Sequence, residues 1–137
     1  KYARLRERGY KSVLHLRDLD YQAVEYARDL SSSAGMAAMQ NLLKDNPPDA
    51  VFAVSDTLAA GALRAIQQVG LRVPEDIAVV SFDNSYYSTF GPVSITSAGH
   101  DPHAMGHAAA ENLLSQIRRQ PCQSVRLPWA LYARQSG

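Results

Sequence analysis

Two apolar segments of the chain each end in polar residues that could bind a small ligand. Residues 50–54 are followed by Ser55 and Asp56, and residues 77–82 are followed by Asp83. The helical pattern between the two segments predicts parallel strands joined by a helix, so these polar side chains would share the carboxyl edge of one sheet. Open α/β sheets bind small ligands at that edge. The spacing therefore predicts a ligand site there.

Each of these polar residues has a structural as well as a functional interpretation. Asp83 closes a buried strand, where an unpaired carboxylate is costly. A ligand with hydroxyl groups would satisfy it through two hydrogen bonds, and the alternative is a carboxylate that caps the amides of a turn. Ser55 is either a ligand contact or the N-cap of the next helix. Asp56 fits a first-turn helix carboxylate better than a ligand contact.

The sequence gives little support for a metal site or for a catalytic site. His100, His103 and His107 have a spacing that could place two imidazoles on one helix face, but no cysteine or carboxylate pair completes a metal site. The sequence contains no nucleophile elbow, phosphate-binding loop or glycine-rich dinucleotide motif. We therefore expect no metal, no cofactor and no enzymatic activity. A small α/β enzyme remains an alternative that would need a catalytic pair the sequence does not reveal.

The elements that must position these residues alternate along the chain. We predict helices over residues 2–14, 31–43, 56–69 and 101–118, and strands over residues 23–27, 50–54, 77–82, 94–98 and 125–133. Gly70 is a typical helix stop, and Asp101-Pro102 is a strong helix start. The fold class predicted is α/β, a mostly parallel sheet flanked by helices.

Composition narrows the class of protein further. The chain has 137 residues, enough for one domain with a core, and a formal net charge of +1. Such a balance predicts no nucleic-acid surface within the chain. No apolar run approaches the roughly 20 residues of a membrane helix. The lone Cys122 excludes an internal disulfide and fits a reducing cytoplasm.

Several motifs, in order along almost the whole chain, are similar to those of one family. They are Arg6-Glu7-Arg8-Gly9-Tyr10, residues 33–43, residues 48–56 with 61–65, residues 73–83, Met105-Gly106, and residues 127–136. The chain resembles the C-terminal half of the effector-binding domain of the lactose-repressor (LacI/GalR) family of bacterial transcription regulators. The resemblance implies a type I periplasmic-binding-protein-like fold.

The resemblance also implies a division of the chain. Residues 1–98 would be the C-terminal lobe, residues 99–121 a crossover helix belonging to the N-terminal lobe, and residues 122–137 a return strand to the C-terminal lobe. The DNA-binding headpiece and most of the N-terminal lobe would be absent. A small hydroxylated effector, such as a sugar, would bind between the lobes, shift their angle and change operator binding by a dimer. A periplasmic sugar-binding protein of a transport system is the alternative.

Specific residues take roles from the resemblance. Asp83 and Arg6 fall at family effector-contact positions, and the alternative for Arg6 is a solvated helix charge. Ser55 stands where many relatives carry asparagine. His100 stands where many carry a cleft-facing glutamine, and a role at the hinge or rim of the cleft is the interpretation we favour. The family dimerises through the region that corresponds to the helix after Asp56 and the loop after Asp83. We therefore expect exposed interface residues at Leu58, Ala59, Tyr87 and Phe90. The loop aromatics could instead cover the end of the sheet.

Overall fold

The computed structural model describes residues 2–19 and 23–137. Lys1 and residues 20–22, which fall within the predicted 1–98 lobe, lie outside the described residues. The elements follow one another as α1 (Tyr2–Leu16), α2 (Ser32–Leu42), β1 (Ala50–Phe52), α3 (Asp56–Gln68), β2 (Ala78–Phe82), α4 (Tyr86–Thr89), β3 (Thr96–Gly99), α5 (Pro102–Ile117) and β4 (Ala130–Tyr132).

The four strands form one sheet in the order β1-β2-β3-β4. β1, β2 and β3 run parallel, with Val51 opposite Val79 and Ser81 opposite Ser97. β4 runs antiparallel to β3. The carboxyl ends of the first three strands and the start of β4 therefore lie at the same edge. The predicted fold class, α/β with a mostly parallel sheet, is confirmed.

The core lies between the sheet and the packed pair α2 and α3. Two glycines allow the close approach of these helices. A Cβ on Gly35 would lie 2.7 Å from the Cα of Leu58, and a Cβ on Gly61 would lie 2.6 Å from the backbone nitrogen of Met36. Buried apolar side chains fill the space around the two helices: Met39, Leu58, Ala59, Ala62, Leu63, Ala65, Ile66, Ile77, Val79 and Ile95.

This packing contradicts the expected exposure of two predicted interface residues. Leu58 is 8% exposed and Ala59 is 0% exposed. The prediction was wrong because the small residues of α3 face the small residues of α2, so that the face in question belongs to the core. Leu58 and Ala59 therefore offer no free surface to a second copy.

Two predicted strands also differ from the structure. Residues 23–27 form no strand and carry no regular structure. Tyr26 is exposed, and its hydroxyl donates to Glu7 of α1 rather than packing on the sheet. The last strand is limited to Ala130–Tyr132, because only these residues pair with β3. The alternating pattern of residues 23–27 thus predicts a strand that the structure does not pair with the four-stranded sheet.

Helix α5 stands apart from this core. Asp101 caps it as predicted, accepting hydrogen bonds from the backbone nitrogens of His103 (2.8 Å) and Ala104 (3.4 Å). None of its residues is buried, and Leu113 and Ile117 are 58% and 69% exposed. An apolar helix face of this kind needs a packing partner. Among the described residues, no helix is long and apolar enough to cross a membrane.

Candidate ligand-binding site

The carboxyl edge of the sheet collects the residues predicted to bind a ligand. Asp83 follows β2, His100 follows β3, and Ser55 lies between β1 and the first turn of α3. Helix α1 comes from outside the sheet and places Arg6 at the same edge, where its Nη1 donates to the carbonyl oxygen of Val54 at 2.6 Å. Ser55 is only 5% exposed and is therefore buried beneath this edge.

Ser55 instead starts helix α3. Its backbone is extended, and its hydroxyl oxygen accepts a hydrogen bond from the backbone nitrogen of Leu58 at 3.4 Å. An N-cap hydroxyl of this kind satisfies one of the free donors in the first helical turn. The structural interpretation of Ser55 thus accounts for its burial and its contact, and a direct effector contact by Ser55 stays an untested prediction.

Asp56 is the most deeply buried carboxylate at this edge, at 1% exposure. It accepts hydrogen bonds from the hydroxyl of Ser81 on β2, the hydroxyl of Ser97 on β3 at 2.6 Å, and the backbone nitrogen of Ser85 at 2.5 Å. A buried carboxylate is tolerated when several donors satisfy it. Asp56 therefore ties α3 to two strands and to the turn after β2, as a first-turn helix carboxylate with a structural role.

Asp83 is in a different environment from the one predicted. Its side chain is 43% exposed rather than buried, so the cost of burying a carboxylate does not apply. Its Oδ1 accepts a hydrogen bond from Nη2 of Arg6 at 2.7 Å. Among the described residues, no donor contacts Oδ2. The pair therefore offers a free carboxylate oxygen beside a guanidinium with unused N–H groups.

The turn that carries Asp83 has an unusual backbone. The φ angles of Asp83 and Asn84 are 111° and 50°, both in the positive region that most side chains avoid. Asn84 is held by Arg134, whose Nη2 donates to its Oδ1 at 2.6 Å. A Cβ on Gly99 would lie 2.7 Å from the backbone oxygen of Asp83, so β3 can approach this turn only with glycine there. Strained backbone held by several contacts is common at ligand sites.

Aromatic rings continue the site from Arg6 towards β4. The guanidinium carbon of Arg6 lies 3.9 Å from the ring centre of Phe82. Phe82 in turn contacts Trp129 at 4.7 Å between ring centres, and Trp129 contacts His100 at 3.7 Å. We call Arg6, Phe82, Asp83, His100 and Trp129 the edge cluster. It brings together three residues predicted to bind a ligand (Arg6, Asp83 and His100) and two that were not predicted (Phe82 and Trp129).

Phe82 and Trp129 lie in apolar segments that predict strands, and this pattern does not distinguish them from core residues. The sequence does carry one signal for each. Phe82 immediately precedes Asp83, and Trp129 is the only tryptophan of the chain and follows Pro128 at the predicted return strand. What the sequence does not show is that antiparallel pairing of β4 with β3 brings Trp129 to the edge that carries Asp83.

His100 has a defined hydrogen-bonding state. Its Nδ1 lies 2.9 Å from the carbonyl oxygen of Pro128, which can only accept, so Nδ1 carries the proton. In the neutral ring, Nε2 is then an acceptor. His100 and residues 125–129 line an open concavity of about 630 Å³ beside the ring of Trp129.

The aromatic residues after Asp83 form a second exposed surface. Tyr86 and Tyr87 lie in the short helix α4 and Phe90 directly follows it; Tyr86 stacks on Phe90 at 5.1 Å between ring centres. Tyr87 and Phe90 are 47% and 67% exposed, so the predicted exposure of these two residues agrees with the structure. Their role at a dimer interface stays a prediction. Among residues 2–19 and 23–137, no group of three metal-ligating side chains comes together.

The whole chain, residues 1–137, matches the periplasmic binding protein-like domain family. The HTH-type transcriptional regulator CelR of Thermobifida fusca is 36% identical over 137 residues, which cover 96% of this chain and 40% of that protein. The solved complex of CelR with cellobiose has a TM-score of 0.78 and 36% identity, covering 96% of this chain and 42% of that one.

A further solved structure, the lac repressor dimer bound to operator and the anti-inducer ONPF, has a TM-score of 0.81 at 29% identity. The match covers 98% of this chain and 48% of the lac repressor chain. The chain belongs to the periplasmic binding protein-like domain family. The predicted relationship to the lactose-repressor family is confirmed, and the chain spans about half or less of the length of the regulators it is similar to.

Proposed function

We propose that this chain is the effector-sensing part of a bacterial DNA-binding transcription regulator, a repressor, that binds a small hydroxylated metabolite of the sugar class. The observation that carries the proposal is the Arg6–Asp83 pair at the carboxyl edge of a sheet whose chain matches this family throughout. The relatives are regulators rather than enzymes or transport proteins, which supports a non-enzymatic role in the cytoplasm.

The chemistry of the pair suits neighbouring hydroxyl groups. A sugar hydroxyl both donates and accepts, so it can donate to the free Oδ2 of Asp83 and accept from an unused N–H of Arg6. Hydrogen bonds to charged groups are roughly twice as strong as neutral ones. Contacts from Arg6 to Val54 and Phe82 hold the guanidinium in place, which lowers the cost of ordering it on binding.

We propose that the chain divides as its sequence predicts, with residues 1–98 and 122–137 in one lobe and residues 99–121 packed in the other. The exposed apolar face of α5 supports this division, because Leu113 and Ile117 are 58% and 69% exposed. An effector held between two lobes would favour one lobe angle and so change operator binding through a headpiece that precedes this chain. We call the whole protein, with its headpiece and both lobes, the full-length regulator.

The full-length regulator is proposed to act as a homodimer. The exposed aromatic surface of α4 supports this, since aromatic residues are enriched at interfaces and a twofold interface must be self-complementary. Replacing Phe90 by aspartate is expected to produce monomers in sedimentation velocity, whereas Leu131→Asp on β4 is expected to leave the dimer intact. A dimer that persists in Phe90→Asp would contradict this surface.

The function is tested by measuring DNA binding with and without sugars. Fluorescence anisotropy of the full-length regulator on its own upstream promoter DNA should give salt-dependent binding. One of glucose, cellobiose or sucrose should change the dissociation constant by about 5- to 150-fold. Sugar binding in calorimetry without any DNA binding would instead support a periplasmic transport protein and contradict the proposal.

A further inference from the structure

Trp129 is an exposed aromatic residue that lies outside the hydrophobic core, where a ligand could contact it. Its side chain sits at the start of β4, at the carboxyl edge, and the residue is 56% exposed. Phe82 and His100 contact its ring with interplanar angles of 55° and 37°. Among the described residues, its indole nitrogen donates to no acceptor. Two rings therefore fix the orientation of a large aromatic side chain whose remaining surface and N–H group are both available.

We infer that Trp129 and His100 form a subsite for the apolar ring face of a pyranose sugar, next to the Arg6–Asp83 pair. The inference rests on the proposed function and names one part of the same site. Small-ligand sites combine apolar and aromatic surface with a few polar groups that fix orientation. The edge cluster has this composition, with its charged end at Asp83 and its aromatic end at Trp129.

A chain of side-chain contacts connects the two ends of the edge cluster. Phe82 links them, because Arg6 lies over its ring and Trp129 packs against it. A pyranose has one face of C–H groups and a rim of hydroxyls. Its C–H face can lie on the indole while its rim hydroxyls reach Oδ2 of Asp83 and the guanidinium of Arg6.

His100 adds a directional contact at the aromatic end. Because its Nδ1 donates to the carbonyl oxygen of Pro128, Nε2 of the neutral ring accepts a hydrogen bond from a ligand hydroxyl. The indole nitrogen of Trp129 is a donor of the opposite kind. A hydroxyl-bearing ring uses both, whereas a purely apolar ligand would leave both without a partner. The polar groups around Trp129 therefore favour a sugar.

The test is calorimetric titration of the full-length regulator with glucose, cellobiose, sucrose and cytidine. For the sugar that binds, Trp129→Ala is expected to weaken affinity about 10- to 100-fold, in line with the burial of an aromatic side chain. Trp129→Phe, which keeps a ring, should lie within about threefold of wild type. Leu131→Ala, in strand β4 just after Trp129 and 69% exposed, should not change the affinity.

A spectroscopic measurement separates ligand contact from a structural role. The emission of Trp129 is obtained as the difference between wild type and Trp129→Phe, and bound sugar should shift or quench it. Unchanged affinity in Trp129→Ala together with unchanged Trp129 emission would overturn the subsite and leave the proposed function standing. Binding of cytidine alone would overturn the sugar assignment. Failure of all four compounds to bind would overturn the sugar subsite, whereas absence of DNA binding in the anisotropy measurement would overturn the proposed function.

Discussion

Asp56 and Asp83 lie at the carboxyl edge of the same sheet, and the structure gives them opposite surroundings. Asp56 is almost fully buried and is satisfied by donors from Ser81, Ser85 and Ser97. The side chain of Asp83 is 43% exposed and is contacted at one oxygen by Arg6. The two carboxylates thus have similar positions at the sheet edge but differ in how many hydrogen-bond donors the protein supplies to them.

This difference indicates different roles for the two carboxylates. A carboxylate whose acceptor positions are filled by the protein has none left for a ligand, so Asp56 holds the edge together. A carboxylate with a free oxygen in solvent can bind a ligand hydroxyl, so Asp83 is available for recognition. The rigid network around Asp56 also fixes the turn that begins at Asp83, because Ser85 donates to Asp56.

The largest expected effect is on stability, from Asp56→Ala. The substitution leaves the donors of Ser81, Ser85 and Ser97 without their acceptor in a buried region. Each unsatisfied buried donor costs about 1–3 kcal/mol, so we expect a loss of about 3 kcal/mol or more in the free energy of unfolding. Urea denaturation of the full-length regulator measures this loss. Asp49→Ala, an exposed carboxylate before β1, is the control and should stay within about 0.5 kcal/mol of wild type.

A smaller effect is expected from Gly99→Ala, which joins the two regions. The added Cβ would lie 2.6 Å from the Cβ of Asn84, so the turn carrying Asp83 must move. Overpacking of this kind costs about 1–3 kcal/mol of stability. Because the turn also carries Asp83, the carboxylate proposed to bind the effector, effector affinity measured by calorimetry should fall as well. Full affinity with a lower unfolding free energy would show that the turn does not position Asp83.

Arg6→Lys should weaken effector binding about 5- to 10-fold, a loss of about 1 kcal/mol. Lysine keeps the charge but cannot bridge Val54 and Asp83 with a planar fork or lie flat on Phe82. Calorimetry of this variant beside Arg8→Lys, an exposed neighbour on α1, measures the difference. Equal affinities in the two variants would mean that Arg6 contributes only its charge.

The smallest effect is expected for a third carboxylate, Asp76, which is paired with Arg72 rather than with a residue of the edge cluster. Its hydrogen bond from the side chain of Arg72 lowers the pKa of Asp76 from 3.8 to about 2. A lowered pKa in the folded state stabilises the fold above pH 3.8, and this contribution is lost as the pH falls towards 2. Asp76→Asn should therefore unfold with a slightly flatter pH dependence between pH 4 and 2. An identical pH dependence of the unfolding midpoint in both proteins would contradict this.

Much of the fold could be predicted from local signals. The Asp101-Pro102 helix start and the stop at Gly70 depend on caps and backbone conformations that neighbouring residues determine. Apart from the strand predicted over residues 23–27 and the short helix α4, which was not predicted, the order of strands and helices followed from the same signals. Arg6 and Asp83, 77 residues apart, were brought together only through the family resemblance, because no periodicity links α1 to the end of β2.

The errors arose where tertiary packing decides. The small residues on α3 are compatible either with an interface between two copies or with packing against α2. The structure has the packing against α2, because Gly35 on α2 lets the backbone of Leu58 come close. The exposure of Asp83 depends on how the turn after β2 leaves the sheet, which its positive φ angle shows and its sequence does not. Trp129 reaches the edge cluster through strand pairing over a long separation in the chain.

We propose that Asp83 recognises the effector, whereas Asp56 holds the sheet edge together. Calorimetric titration of Asp83→Ala in the full-length regulator, with whichever sugar binds wild type, tests this most directly. Loss of a charge-assisted hydrogen bond costs about 1.5–3 kcal/mol, so the dissociation constant should rise roughly 10- to 150-fold. The urea midpoint should stay at the value of the Asp49→Ala control. An unchanged dissociation constant in Asp83→Ala would contradict the claim and leave the carboxylate with the role of a turn residue alone.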